Sequence, residues 1–400
     1  MFGESNAFII RAVYLFISFQ SLTSSGAGGT GKIAYEVARN LFDKKLPVKL
    51  IVSAKGKFTT TFPSAPVSVW SRYYLFLLNK LIAPWLNPYQ KRHLEERIFD
   101  FFCSSHIQRN QKLVFTTTPL VPRTLKKAKQ LGIPVVFFPG TPEENHIAEL
   151  VTREANHWNV KAQDVYTYQP RLAVYNKGMS LVDDVICHSS VIESTYKKNW
   201  PGKKFISCAG LLKPVSINHE EATPSASFTV LYAAHTVWLK GLQYLLKAWS
   251  EVSVDGELLV VGSIDPTVQR VIDREFSSLK NVSFTGAVSG IDAYVKRSTV
   301  LICPSLIDGG PVTVMEAMRH AVPSILTSMC GVKDFIREGE TGWIIEAGNS
   351  AELAARIKWC YENPEATRQI GQAAQTMLNQ YDFKDFIENI ASETLALRNL

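Results

Sequence analysis

The sequence has few cysteines, few charged residues and no long apolar run. Its six cysteines in 400 residues include no Cys-x-x-Cys pair and no Cys/His cluster at zinc-ligand spacing, which argues against a disulfide scaffold or a zinc module. We therefore predict a cytoplasmic protein whose cysteines are mostly buried as small apolar side chains. Charged residues make up 20% and hydrophobic residues 46%, which is enough apolar content to fill the cores of about two or three domains.

No stretch is long enough to span a bilayer as a helix. The most apolar one, residues 8–19, is interrupted by Arg11, falls short of the ~20 residues that a bilayer requires, and is followed by no small-residue cleavage site. Its second part, residues 13–19, is β-branched and aromatic and leads into a glycine-rich turn. This pattern predicts a buried parallel strand.

Short apolar runs alternate with helical patterns along most of the chain, which predicts an α/β fold of doubly wound parallel sheets. The alternation pauses at residues 211–227, a polar segment that we interpret as a linker between two Rossmann-like domains, 1–212 and 213–382. Ligands bind at the carboxyl ends of strands in such sheets, so the predicted site is the cleft between the domains. Strands are predicted at 13–19, 48–52, 112–116, 134–138, 184–188, 204–208, 229–233, 257–261, 282–285, 299–303, 324–327 and 342–345. Helices are predicted at 92–102, 122–131, 191–199, 241–252, 266–279, 314–320, 364–379 and 383–397.

The net charge of +7 is unevenly distributed. Residues 1–213 carry 28 Lys and Arg against 14 Asp and Glu, a net +14, whereas residues 214–400 carry 15 against 22, a net −7. A basic first half suits an anionic acceptor or a membrane surface. No recognised nucleic-acid motif accompanies the charge, so we expect no nucleic-acid partner.

A glycine-rich loop from Gly26 to Gly31, followed by Lys32, has the spacing of a P-loop. That motif requires Ser or Thr next to hold Mg²⁺, and Ile33 stands there instead, so we do not expect an NTPase. Glycines still allow a ligand to approach the backbone closely, and a helix beginning near Lys32 would direct its N-terminus at the cleft. A plain tight turn between strand and helix is the alternative.

A second candidate follows the linker, where a strand, a short loop and a helix occupy residues 230–248. The loop carries His235 and Lys240, which places cationic groups at the mouth of the cleft. A lysine is a point charge suited to a phosphate. The alternatives are a solvated surface lysine and a hydrogen-bonded loop histidine.

The third candidate is the most specific. A buried strand leads to Asp308, two glycines and a helix that carries Glu316 eight residues after the first acid. Two carboxylates can accept hydrogen bonds from sugar hydroxyls, and the N-terminus of the helix can carry phosphate charge. The alternatives are an N-cap or Asx turn for Asp308 and a helix-start acid for Glu316.

The order of these pieces resembles glycosyltransferase family 4, retaining enzymes of the GT-B fold that use nucleotide-sugar donors. Residues 229–248 resemble the R-x(4)-K-G donor-phosphate segment of that family, and Asp308-x(7)-Glu316 falls on its E-x(7)-E motif. The resemblance covers most of residues 13–390 and is most specific between 229 and 346.

The resemblance implies a role for each matching residue. Gly28 and Gly29 would lie against the donor, and Lys240 would bind the diphosphate. Asp308 would contact the transferred sugar and Glu316 the ribose, so that Asp308, Glu316 and Lys240 are the implied catalytic residues. The other implied donor-binding residues are His235, Gly262, Gly286, Gly309, Gly310, Val312 and Thr313.

The resemblance also implies the reaction and the domain roles. Residues 1–212 would be the acceptor side, 213–382 the donor side, and the helix at 383–400 would pack back on the first domain. A hexose would pass from a nucleotide-diphosphate sugar to a polysaccharide, oligosaccharide or lipid-linked acceptor with retention of configuration. No D-x-D triplet occurs in the sequence, which agrees with a reaction that needs no divalent metal or other cofactor.

Three departures from the family pattern leave a second hypothesis open. His235 stands where an arginine is expected, the first acid is Asp308 rather than Glu, and the histidine expected after the strand at 134–138 is absent, although His146 lies nearby in sequence. A histidine is cationic only when protonated and cannot form a bidentate fork. The alternative is therefore a degenerate GT-B protein that binds a nucleotide-sugar or a partner without turnover.

The sequence feature that bears on the acceptor is a basic and aromatic segment, residues 70–98. Such a segment predicts peripheral attachment to anionic membranes on their cytoplasmic face and an acceptor that is a glycan or is lipid-linked. The alternative is a helix that packs its aromatic side chains into the domain core.

Overall fold

The computed structural model describes residues 13–20, 22–23, 26–27, 29–54, 59–210, 212 and 227–397. Gly28 and most of the predicted linker, 211–227, lie outside these residues, so the expectations placed on them stay predictions. Within the described part, no helix has the length and apolar character needed to cross a membrane. All six cysteines are buried and unpaired by disulfides, as expected.

The first domain is built on a parallel sheet of seven described strands in the order β5-β4-β1-β6-β7-β8-β9, with a separate two-stranded ribbon, β2-β3. Its helices cover the two faces and bury the central strands, whereas the edge strands β5 and β9 are only partly buried. The elements are β1 (Val13–Ser18), β2 (Leu22–Thr23), β3 (Gly26–Ala27), α1 (Gly29–Asp43), β4 (Val48–Val52), β5 (Ser64–Pro66), α2 (Val69–Leu77), α3 (Pro88–Cys103), β6 (Gln111–Thr116), α4 (Pro122–Gln130), β7 (Val135–Phe137), α5 (Glu144–His157), α6 (Gln169–Met179), β8 (Asp184–Cys187), α7 (Ser190–Asn199) and β9 (Lys204–Ser207).

The second domain repeats this plan with six described parallel strands in the order β12-β11-β10-β13-β14-β15. Both sheets were predicted as parallel and doubly wound, and this fold class is confirmed. The elements are β10 (Phe228–Ala233), α8 (Leu242–Glu251), β11 (Gly256–Val261), α9 (Pro266–Glu275), β12 (Val282–Gly286), α10 (Asp292–Lys296), β13 (Val300–Cys303), α11 (Val312–Arg319), β14 (Ser324–Thr327), β15 (Trp343–Ile345), α12 (Ser350–Glu362) and α13 (Pro364–Leu378), and the chain then continues into α14 (Phe383–Ala396).

The last helix, α14, lies against α1 of the first domain. Phe386, Ile387 and Ile390 of α14 belong to the same buried cluster as Tyr14 and Ile33. Gly210 lies so close to α14 that a Cβ there would stand 2.1 Å from the Phe386 ring. The chain therefore passes between the domains at the linker and again before α14.

The segment between β5 and α3 differs from a core helix. After α2 the chain forms one π turn, Leu78–Ile82, and one 3₁₀ turn, Ala83–Trp85. Trp70 and Trp85 are 66% and 86% exposed, and Tyr73, Tyr74 and Phe76 are also exposed. The alternative in which these aromatic side chains fill the domain core is therefore wrong.

Candidate active site

Loops from both sheets meet at the carboxyl ends of their strands, as expected for doubly wound sheets. A Cβ at Gly140, after β7, would stand 2.3 Å from the Thr30 side chain in α1, and one at Gly309, after β13, would stand 3.4 Å from the carbonyl oxygen of Gly140. Ser189, after β8, donates its hydroxyl to the carbonyl of Gly309 at 2.9 Å. The predicted cleft is thus lined by loops of both domains, and glycine permits the closest approaches.

Lys240 and Asp308 form an ion pair in this cleft. Lys240 Nζ lies 2.5 Å from Asp308 Oδ2, although 68 residues separate them in sequence. Burial opposes the charge on Lys240, but the Asp308 carboxylate and its hydrogen bond outweigh it, so the pKa of Lys240 is raised. The solvated surface lysine is excluded, because the Lys240 side chain is only 29% exposed.

The position of Lys240 depends on the glycine that follows it. Gly241 has φ +69°, and a Cβ there would stand 2.0 Å from the carbonyl oxygen of Pro304. Both facts exclude a larger residue, because the left-handed region and a contact this short each disfavour a Cβ. The backbone carbonyl of Leu239 accepts the N–H of Leu306 at 2.8 Å, which joins this turn to the strand end before Asp308.

Asp308 is held from two further sides. Its Oδ1 accepts the backbone N–H of Gly310 at 3.1 Å, and its backbone pairs with that of Cys330 as an isolated bridge. The Asx turn anticipated as an alternative is therefore present, and it coexists with the contact to Lys240. The turn fixes one carboxylate oxygen and leaves the other to the lysine.

Glu316 lies one turn inside α11, half-buried, behind the residues that begin the helix. Val312 and Thr313 are the first two residues of that helix, and Pro311 precedes them without a side-chain cap. Because no side chain caps them, the first N–H groups of α11 keep their capacity to donate to a ligand.

The remaining predicted donor residues have structural roles of their own. His235 is exposed and its Nδ1 lies 2.6 Å from Ser263 Oγ, which is the hydrogen-bonded loop histidine given as an alternative. The N–H of Gly262 donates to the carbonyl of Gly286 at 2.9 Å. Gly262 has φ +120° and would place a Cβ 1.9 Å from the carbonyl oxygen of Ala234. These positions shape the rim of the cleft beside β10.

The glycine loop of the first domain differs in one respect from the prediction. The helix α1 begins at Gly29, not near Lys32, so Gly29 and Gly31 belong to its first turn. Gln20, after β1, accepts the N–H of Gly31 through its side-chain oxygen at 2.8 Å. The helix tolerates only glycine at position 31, because a Cβ there would stand 2.8 Å from the side-chain oxygen of Gln20. Gly28 lies outside the described residues.

Three residues at the domain seam were not predicted as site residues. His188 and Ser189 lie between β8 and α7, and Ser190 is the first residue of α7. The Ser190 backbone N–H and hydroxyl both donate to the Asp334 carboxylate, at 2.7 and 2.5 Å. His188 is 2% exposed. In sequence it is the last residue of the predicted strand 184–188, and that position at a strand end is the one signal that pointed to it.

Among the described residues, no three His, Cys, Asp or Glu side chains come together in a way that could hold a metal ion. The cationic group at the centre of the described cleft is Lys240. That the reaction needs no metal stays a prediction.

The two sheets and the cleft between them define the GT-B fold, and solved structures confirm this class. Sucrose-phosphate synthase of Thermosynechococcus elongatus superposes with a TM-score of 0.67 over 97% of this chain and 99% of that chain, at 16% identity. HepE of Anabaena in complex with UDP-glucose gives a TM-score of 0.62 over 96% and 99%, at 17% identity. Identities this low show the fold alone.

Residues 216–377 match the family described as Glycosyl transferases group 1. An uncharacterised glycosyltransferase of Haemophilus influenzae is 28% identical over 169 residues, 40% of this chain and 47% of that protein. Across three curated relatives, including this one, the matches span 34% to 58% of the relative's length. The resemblance inferred from the motifs is therefore confirmed for residues 216–377 as similarity to group 1 glycosyltransferases. Family 4 stays a prediction.

Proposed function

We propose that this protein is a retaining glycosyltransferase that moves a hexose from a nucleotide-diphosphate sugar to a glycan or lipid-linked acceptor, without a divalent metal. The observation that carries the proposal is the ion pair of Lys240 and Asp308 in the interdomain cleft, beside the N-terminus of α11. Group 1 similarity over residues 216–377 and the UDP-glucose bound to HepE support a nucleotide-sugar donor.

Each residue has a part in the proposed reaction. Lys240 has three donors on its ammonium, so it can bind the diphosphate while it keeps its contact with Asp308. Asp308 holds the transferred sugar, the backbone of Gly309 and Gly310 binds its hydroxyls, and Glu316 holds the ribose. As the bond to the anomeric carbon breaks, negative charge grows on the diphosphate, and Lys240 with the α11 N-terminus stabilises it.

The other proposed donor contacts lie around this centre. Gly28 and Gly29 approach the donor from the first domain, and His235 lies at the exposed mouth of the cleft. The departing phosphate takes the proton of the acceptor hydroxyl, so the entering group arrives on the same face of the sugar. The sites that complete the donor pocket are Gly262, Gly286, Val312 and Thr313.

Release of free nucleotide from a donor tests this function. We expect the purified protein, incubated with UDP-, GDP- and ADP-sugars in the presence of a metal chelator, to hydrolyse at least one of them slowly, because water can replace the acceptor. Saturable nucleotide binding without any hydrolysis or transfer would instead identify the degenerate binding protein. Hydrolysis that occurs without the chelator and stops when the chelator is added would contradict only the proposal that the reaction needs no metal.

The acceptor side is proposed to face an anionic membrane. A cavity of about 590 Å³ lies between the end of β1 and the helices α2 and α3, and its lining includes Gln20, Arg72 and Arg92. Gln20 also bonds Gly31 of the glycine loop, so the cavity adjoins the cleft. The helix α2, which lines the cavity through Arg72, also carries exposed aromatic side chains. Such rings partition into the interface of a bilayer, while basic side chains attract anionic lipids. We infer a cytoplasmic protein attached peripherally.

Vesicle binding tests the membrane face. We expect the protein to sediment with vesicles of phosphatidylglycerol and phosphatidylcholine at low salt and to be released at high salt. Replacing Trp70 and Trp85 together by serine should weaken binding at least about tenfold, because two exposed indole rings leave the interface. Tyr361→Ser, at a half-exposed position of the second domain, is the matched control. Equal sedimentation of wild type and the double variant would refute this surface.

A further inference from the structure

A buried histidine lies at the seam between the two domains and takes no part in the reaction as proposed above. His188 follows β8, its ring stacks on Phe138 with centroids 5.5 Å apart, and it is 2% exposed. On its other edge, a Cβ at Gly310 would stand 3.3 Å from His188 Cε1. The imidazole of the first domain therefore faces the Asp308–Gly310 turn of the second.

One nitrogen of this ring has no protein partner within the described part of the chain. Nε2 is buried and no described residue lies within hydrogen-bond distance of it. The other ring nitrogen bonds the backbone of His188 itself. A buried polar atom without a partner destabilises the fold, so a ring that only packed against Phe138 would be better replaced by an apolar side chain.

The protonation state of the ring fixes what Nε2 can bind. Burial lowers the pKa of His188 to about 4, and the nearby Asp308 carboxylate opposes that shift without reversing it. The imidazole is therefore neutral at neutral pH. Because its one N–H points to its own backbone carbonyl, Nε2 presents a lone pair, which accepts a hydrogen bond from a hydroxyl and repels an anionic phosphate oxygen.

We propose that Nε2 of His188 accepts a hydrogen bond from one hydroxyl of the transferred sugar, so that the first domain reads the donor sugar that the second domain binds. The proposal rests on the proposed function and deepens it by adding a residue that determines sugar specificity. Gly310 supports it, because any side chain there would fill the space between the ring and the turn and would also meet Leu212 at 2.6 Å.

The arrangement separates two kinds of recognition. Lys240 carries positive charge for the diphosphate and contacts Asp308, at one end of the Asp308–Gly310 turn, while the neutral His188 lies beside Gly310, at its other end. A sugar held by this turn would therefore touch both domains, whereas a nucleotide alone would touch the charged side. Loss of the histidine should weaken the use of the sugar and leave nucleotide binding unchanged.

Two substitutions distinguish the contribution of Nε2 from that of the other ring nitrogen. His188→Gln places an amide oxygen near Nε2, and His188→Asn places its amide near the other nitrogen. With the nucleotide-glucose that the wild type hydrolyses, among UDP-, GDP- and ADP-glucose, we expect His188→Asn to lose about 10- to 100-fold in kcat/KM. His188→Gln should recover most of this loss. The Kd for the free nucleotide diphosphate should stay within about twofold in both variants.

Deoxy donors identify the hydroxyl. Removing each sugar hydroxyl in turn should lower kcat/KM of the wild type at one position, and the same removal should have little further effect in His188→Asn. His320→Asn is the control for a buried histidine, since His320 already has a partner in Asp292. An equal loss in the Asn and Gln variants, or a nucleotide Kd that weakens in parallel, would show a structural role and overturn the proposal.

A measurement on the unaltered protein keeps the proposal testable if the Asn variant does not fold. In nitrogen-15 spectra of histidine-labelled protein, the Nε2 signal of His188 should move when the hydrolysed nucleotide-glucose is added, and it should not move with the nucleotide alone. A signal that ignores the sugar refutes the inference while hydrolysis by the wild type still supports the proposed function. Absence of hydrolysis with every donor refutes the function itself, and the inference with it.

Discussion

Replacing Lys240 by alanine is expected to lower the rate of nucleotide release from the active donor by about 100- to 1,000-fold, the loss typical when one preorganised group at a developing charge is removed. The variant loses the cation that faces the diphosphate and leaves Asp308, which contacts Lys240 at 2.5 Å, without its partner. Hydrolysis rates at saturating donor measure the effect on the reaction, and the Kd for the nucleotide measures the effect on binding.

Two companion variants make this result specific. Lys247→Ala removes an exposed lysine from α8, a few residues away in sequence, and should leave the rate within about twofold. Glu316→Ala should also abolish activity, because it removes the proposed ribose contact. Full activity in either Lys240→Ala or Glu316→Ala, with the fold intact, would refute the donor-site assignment.

Replacing Arg171 by alanine is expected to have the largest effect on stability, a loss of about 3–5 kcal/mol in the free energy of unfolding. Arg171 lies between two buried carboxylates: its Nε donates to Glu96 at 2.9 Å and its Nη1 to Glu144 at 2.6 Å. The pair of contacts ties α6 to both α3 and α5. Removing the cation leaves Glu144 buried without its partner, while Glu96 keeps the half-exposed Arg92 at 2.9 Å. Urea unfolding would measure the loss.

The pH dependence of that variant gives a second readout. Burial raises the pKa of Glu144, and Arg171 opposes the shift. Without Arg171 the carboxyl should bind its proton more tightly in the folded state than in the unfolded chain. Such a group stabilises the fold below its unfolded pKa and loses that contribution as pH rises through its folded pKa, so the variant should be less stable at pH 8 than at pH 5.5.

Arg368→Ala is the matched control for this prediction. Its guanidinium pairs with Glu365 on the surface of α13, where both side chains are more than half exposed. An exposed pair contributes about 0–1 kcal/mol, so the control should unfold close to the wild type. A loss below about 1 kcal/mol in Arg171→Ala would show that the buried network does not hold the three helices together.

Much of the fold could be predicted because each strand is a short apolar run whose period differs from that of its flanking helices. β4 and β14 occupy the predicted residues, and most other predicted strands differ by one or two at an end. The helices α5 and α6 were not predicted. Both carry polar groups on buried positions, among them Glu144, Glu154 and Arg171, which blur the apolar pattern that marks a helix.

For the candidate site, the sequence indicates which residues lie at strand ends but not which of them touch each other. Lys240, Asp308 and Glu316 could be singled out because strand-loop-helix units place them at strand ends. That Lys240 and Asp308 touch could not be derived, since the contact depends on how β10 and β13 pair in the sheet. His188 was missed for a similar reason: its neighbours, Phe138 and Gly310, come from another loop and another domain.

The exposure of the aromatic segment could not be derived either. An aromatic ring on a helix fits a core or a bilayer interface equally well in sequence, and only the placement of α2 at the edge of its sheet decides between them. The structure leaves Trp70 and Trp85 outside the core. Composition alone had left both interpretations open.

The packing of α14 on α1 has a consequence for how the protein is made. The first domain is not a continuous stretch of chain, because the cluster around Tyr14 and Ile33 includes Phe386 and Ile390. A ribosome synthesises that apolar face early, and the helix that covers it more than 350 residues later. The second domain can close its own core first, and the domain that is translated first is the one completed last.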